Sequence, residues 1–230
     1  MRLRLRWFAL TLICGVVPVA FPGAAPADTV TVGQTVAANE LCSSDGVFFQ
    51  TAVSSGASYT VPSGNWTITS WSADGGVWGG QMSLVVLRPS STPGAFDVVG
   101  ESALETLQTL PAGQVNTFAT NVSVEGGDIV GIWVGGPTAC AAGIPSATDT
   151  FAFVFTSPEP PVGTALTGLS SGAFSRINVA ATLESRPSMP TSRRDCMDGG
   201  WESFAAFKNE GDCVSFVATG GTNPPGAPHQ

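Results

Sequence analysis

From Thr29 to Glu184 no helical repeat of apolar residues persists; the chain runs instead in short β-prone stretches cut by Gly, Pro, Ser and Asp. In Phe118–Val124 apolar residues alternate with small or polar ones at period two, which exposes one face of a strand and buries the other. Phe151, Phe153 and Phe155 share one strand face by the same count, as do Ile177, Val179, Ala181 and Leu183. Met82–Leu87 and Ile129–Val134 are apolar at nearly every position, as expected of central strands covered on both sides. Glu125-Gly-Gly-Asp128 has the composition of a tight reversal between strands. Roughly eight to ten strands at this spacing predict a mainly β domain over 28–184, a jelly-roll-like antiparallel sandwich of two sheets.

The cysteines narrow the picture further. Residues 1–27 have the parts of a cleaved secretory signal: Arg2, Arg4 and Arg6, an apolar stretch Trp7–Val17, and Ala25-Pro-Ala27 before Asp28. Beyond it no apolar run is long enough to span a membrane, and four cysteines remain. An even count in an exported chain points to two disulfides. Cys196 with Cys213 closes a short local loop, which leaves Cys42 with Cys140 as a long-range staple. No Cys-x-x-Cys pair occurs and the one histidine is His229, so neither a metal nor a cofactor is expected.

After the β region the pattern changes. Residues 185–194 read as an extended linker, with Pro187 and Pro190 opposing helix. Residues 195–220 read as a small helical motif pinned by the second disulfide, and 221–230 as a disordered Pro/Gly-rich tail. Asp198 is placed to cap a helix running to Phe207, and Asn209 to cap a second that carries Cys213, Phe216 and Val217 on one face. Trp201, Phe204 and Phe207 form either a docking patch for a wall component or partner, or the mini-core of the hairpin.

The run Cys196-x-x-Gly-Gly-Trp201, then Phe207-Lys-Asn209, Gly211 and Cys213-Val-Ser-Phe-Val217, resembles a recurrent C-terminal segment of exported actinobacterial proteins. Tyr59–Trp71 (YTVPSGNWTITSW) and Arg176–Glu184 (RINVAATLE) are similar to secreted actinobacterial β domains. The resemblance implies a secreted protein in two parts and carries over no catalytic residue.

Charge and missing residue types exclude several chemistries. Residues 28–184 hold twelve acids against only Arg88 and Arg176, so phosphate backbones would be repelled and nucleic-acid binding is not expected. With only His229 in a terminal tail, a Ser–His–acid site has no base. A glycosidase needs only two carboxylates, for which Glu101 and Glu105 are the nearest pair in sequence. Gly-rich loops holding Asp74, Asp97 or Asp128 could offer calcium ligands, yet no Asp-x-Asp-x-Asp spacing occurs and solvated turns are the simpler reading. Strand alternation sets Trp66 and Trp71 on opposite faces, and the loop Ser72–Gly80 presents Trp78 beside Asp74. Trp71, Trp78 and Asp74 are therefore the candidate sugar-stacking site, with Trp66 and Trp133 filling the core as the competing assignment. The leading expectation is a secreted or cell-surface-associated, non-enzymatic binding protein. Its partner would be a cell-wall or extracellular polysaccharide, or a protein; the alternative is an acid-pair glycoside hydrolase.

Overall fold

The computed structural model describes residues 28–111, 114–186, 189–204 and 206–226; the expected signal segment 1–27 and His229 lie outside them. The chain is mainly β. Its strands are β1 (Thr29–Gln34), β2 (Glu40–Cys42), β3 (Gly46–Ala52), β4 (Asn65–Ala73), β5 (Gly80–Pro89), β6 (Phe96–Glu101), β7 (Glu105–Leu107) and β8 (Asn116–Glu125). They continue as β9 (Ile129–Gly135), β10 (Thr138–Gly143), β11 (Thr150–Phe155), β12 (Ala165–Leu166), β13 (Ser170–Ala173), β14 (Ser175–Ile177) and β15 (Val179–Ser185).

Eight of these make the frame. One sheet has the order β1-β15-β4-β8, and the other contains β6-β5-β9-β3, every pairing antiparallel. Numbered along the chain, those eight strands lie in the orders 1-8-3-6 and 2-7-4-5, the double Greek key of a jelly roll. Between the sheets pack Val32, Ile68, Trp71, Val179 and Leu183 from the first, and Phe48, Met82, Leu84, Ile132 and Val134 from the second. The alternate residues of the second sheet, Val47, Phe49, Val85, Leu87 and Trp133, form a separate cluster on its outer face. Residues 156–169 cover that outer cluster: Trp133 Nε1 donates to the Thr156 carbonyl at 3.1 Å, and Leu166 and Leu169 pack beside it. This is why β5 and β9 are apolar on both sides.

Apart from β7, which pairs with β5, the remaining strands are additions to the roll. Residues 138–177, between β9 and β15, supply β10 to β14, and the β1–β3 connection supplies β2. β14, β10 and β2 pair into a three-stranded sheet of their own, while β11 and then β13 extend the second sheet beyond β3. The Cys42–Cys140 disulfide joins β2 to β10.

Three side chains, Arg176, Gln50 and Tyr59, tie the addition to the frame through buried polar contacts. Arg176 on β14 pairs with the buried Asp149 and also donates to Gln34 Oε1 at 2.9 Å. Gln50 accepts from the Ile177 N–H at 2.9 Å and donates to the Ser175 carbonyl at 3.2 Å. Tyr59 donates its hydroxyl to the Ile177 carbonyl, and burial pushes that hydroxyl well above its ordinary pKa, so it stays a donor.

The C-terminal part is small and helical, with the Cys196–Cys213 disulfide in place. Its helices differ in part from the expected ones. The first, α1 (Arg193–Cys196), begins inside the expected linker, where the Asp195 carboxylate accepts from the Thr191 and Ser192 N–H groups at 2.9 and 2.8 Å. No α-helix runs from Asp198 to Phe207 among the described residues. Asp198 and Gly199 both take positive φ, and only a 3-10 turn, Gly200–Ser203, follows. A left-handed pair ends a helix rather than capping one. The second helix, α2 (Glu210–Ala218), is capped as expected: Asn209 Oδ1 accepts from the Asp212 N–H at 2.9 Å. Residues 221–226, expected as a disordered tail, fold back on α2, with the Gly226 N–H on the Asp212 carboxylate at 2.9 Å.

Candidate functional site

β11 carries the sequence Thr-Phe-Ala-Phe-Val-Phe, so its three phenylalanines leave the same face of the extended second sheet. Each lies over its cross-strand neighbour. Phe153 pairs with Phe48 on β3 and the rings stack, centroids 5.7 Å apart and 11° between planes. Phe155 sits opposite Gly46, where a Cβ would come within 3.3 Å of its ring. Phe151 sits opposite Gly172 on β13, whose missing side chain leaves room for the ring. The rings also touch along the strand, Phe151 to Phe153 at 5.9 Å and Phe153 to Phe155 at 5.3 Å.

Across from this ladder stands the small sheet. Leu41, the Cys42–Cys140 cystine, Ala141 and Ile177 form the opposite wall of a half-open groove of about 250 Å³, with Glu40, Ser43 and Ser175 as its polar groups. The first sheet of the roll does not cover it. Phe155 is left 62% exposed and Leu41 41% exposed. Large apolar residues exposed side by side in a concave place mark a binding surface more often than isolated ones do.

The glycine opposite Phe151 provides a direct check. Gly172→Ala should force that ring off β13 and into the groove, seen as changed ring proton shifts for Phe151 and Phe153 with the far-ultraviolet spectrum unchanged. Unmoved shifts would show that the ring does not rest on Gly172.

The residues singled out from sequence are scattered. Trp71 is 1% exposed and packs on Phe118 with ring centroids 4.8 Å apart, so it offers no face to a sugar; it is core. The reason is a bulge. Leu183 pairs with Ile68 and Thr182 with Ser70, leaving Thr69 as an extra residue on β4. The phase of alternation flips there, so Trp66 and Trp71 both turn to the same core, with Trp66 only partly buried. Trp78 is 47% exposed on its loop, and the Asp74 carboxylate accepts from the Gly76 N–H at 2.5 Å, shaping that loop. Asp128, one of the calcium candidates, is 1% exposed and bound to Arg88 at 2.7 Å.

Glu101 and Glu105 do not converge. Cross-strand partners share a face. Glu101 pairs with Val85 of the outer cluster, and Glu105 with Met82 of the inner core. The acid near Glu101 is Glu159, which accepts from Ser83 Oγ. Burial pushes the Glu159 carboxyl up; the Ser83 hydrogen bond opposes this and the Glu101 charge adds to it. In the C-terminal motif Phe207 is buried with Cys196 and Cys213, while Trp201 and Phe204 pack around them half-buried. Of the two readings of these aromatics, the mini-core accounts for Phe207.

The groove residues Glu40, Leu41 and Phe48 were not singled out from sequence, and the Phe151–Phe155 alternation was read only as a strand face. Comparison with protein-family models, curated proteins and solved structures returned no match.

Proposed function

We propose that this is an extracellular, non-enzymatic binding protein that holds its ligand in the phenylalanine groove. The observation that carries the reading is that, apart from Phe48 on β3, the groove is lined by strands added to the roll and the loop after β2. β2, β10, β11, β13 and β14 are not needed to close the eight-strand frame, yet they are stapled by a disulfide and by a buried ion pair. They leave an aromatic ladder partly open to solvent, with Phe155 as its exposed end. Two disulfides suit a non-reducing compartment. No helix among the described residues is long and apolar enough to cross a membrane.

The groove has few groups to meet sugar hydroxyls, so a polysaccharide is the better match for the exposed Trp78 loop. A hydrolase reading is favoured by one observation, the proximity of Glu159, with its raised carboxyl, to Glu101. Co-sedimentation with purified cell envelope and with insoluble polysaccharides separates the three. On the proposed reading, Phe155→Ser should cut retention at least fivefold and Trp78→Ala should leave it unchanged. Retention lost only with Trp78→Ala would move the site to that loop. Soluble sugar released by the native protein but not by Glu159→Gln would make it an enzyme.

A further inference from the structure

From the groove's charge we infer its ligand class, resting on the reading that the groove is the ligand site: it binds a small organic cation, a quaternary or alkyl ammonium group of the choline type. Glu40 lines the same cavity as the four phenylalanines. Its carboxylate makes no hydrogen bond or ion pair among the described residues. Among the described residues of 28–184 both arginines are already engaged by other acids, and Arg186 donates to Ser123 and the Val124 carbonyl. Arg88 is held by Asp128 and Glu125, and Arg176 by Asp149.

A glutamate lining the same cavity as aromatic rings selects among occupants. A neutral acyl chain would strip water from Glu40 without replacing it. An anion would be repelled by Glu40 and by a domain with twelve acids and two arginines. An ammonium group meets both features, its charge on the carboxylate and its C–H or N–H surface over the ring faces. Phe153 stacked on Phe48, with Phe155 inclined at 62° to Phe153, supplies ring faces in more than one plane. The cavity, about 250 Å³, falls below the roughly 300–1,000 Å³ of sites for drug-sized ligands, which limits the occupant to a headgroup on a short stem.

The test is a titration of the full-length, disulfide-intact protein, labelled with ¹³C at phenylalanine rings. The probes are choline, its neutral isostere 3,3-dimethylbutan-1-ol, and the neutral dye Nile red. Choline should shift groove ring signals and bind at least tenfold tighter than the isostere. Glu40→Gln, which keeps the side chain's shape, should erase that difference. Phe155→Ser, at a position already mostly exposed, should weaken both. If the isostere and Nile red bind as well as choline and Glu40→Gln changes nothing, the cation assignment is wrong while the groove remains a ligand site. If no probe moves the groove signals, both readings fail.

Discussion

Arg176→Ala should destabilise the β domain by roughly 3–5 kcal/mol, the usual result of leaving one member of a buried ion pair alone. The Arg176 and Asp149 side chains are 8% and 0% exposed. The guanidinium reaches Asp149 through Nε at 2.8 Å and through Nη2, Gln34 Oε1 through Nη1 at 2.9 Å, and Ser54 Oγ at 3.3 Å. Those partners come from β1, from the loop after β3 and from the loop before β11, so one side chain fastens the added strands to the frame. In a domain of this size the loss should lower the melting temperature by roughly 10 °C or more. Asp149→Asn should lose a similar amount, because it leaves the guanidinium buried without its counter-charge. Arg176→Met combined with Asp149→Leu should recover much of it, since neither charge is then stranded. Acid gives an independent reading. Burial pushes the Asp149 carboxyl up, but hydrogen bonds from Ser54 and Arg176 outweigh it and hold the carboxyl below the usual range. A group with its native pKa lowered contributes fully above its unfolded value, near 4, and loses that contribution as the pH falls through the native value. Urea unfolding at pH 7 and pH 3 should therefore show a larger drop for the native protein than for Asp149→Asn. An Arg176→Ala loss below about 1 kcal/mol would show that the pair is not holding the addition in place.

Much of the fold was legible because alternation is a local property. Phe151, Phe153 and Phe155 do share a face, the residues of β5 and β9 are covered on both sides, and Asn209 does cap α2. The groove was not legible, for two reasons. Whether a strand face is buried depends on what lies opposite, and the ladder lies beyond the reach of the first sheet. Its other wall comes from β2 and β14, three residues each and too short to show a period, and from β10, whose run Thr-Ala-Cys-Ala-Ala-Gly has no alternation to read. Trp71 failed for a different reason: an extra residue at Thr69 inverts the alternation, and no residue type around it marks a bulge. Asp198 failed because a side chain suited to capping says nothing of the backbone it sits on, here at φ 54°.

Removing the first disulfide, Cys42→Ala with Cys140→Ala, should cost the domain about 4.7 kcal/mol in the chain-entropy description, because the bridge closes a loop of 98 residues. The damage should be localised before it is global. β2 is three residues long and its pairing with β10 carries a register shift between Ala139 and Ala141, so few ladder bonds hold that wall of the groove without the bridge. Binding of groove probes should therefore fail at temperatures where the roll is still folded. The second bridge should behave differently. Cys196–Cys213 closes only 17 residues, worth about 3 kcal/mol, but with Phe207 it makes up the buried core of the C-terminal motif among the described residues. Cys196→Ala with Cys213→Ala should unfold that motif and leave the main calorimetric transition where it was. Calorimetry and probe titration on the two double variants check this together. A C-terminal variant that lowers the main transition as far as the groove variant would mean that Trp201 and Phe204 cover the roll rather than their own small core. A groove variant that still binds its probes would mean that β2 is held by something other than the staple.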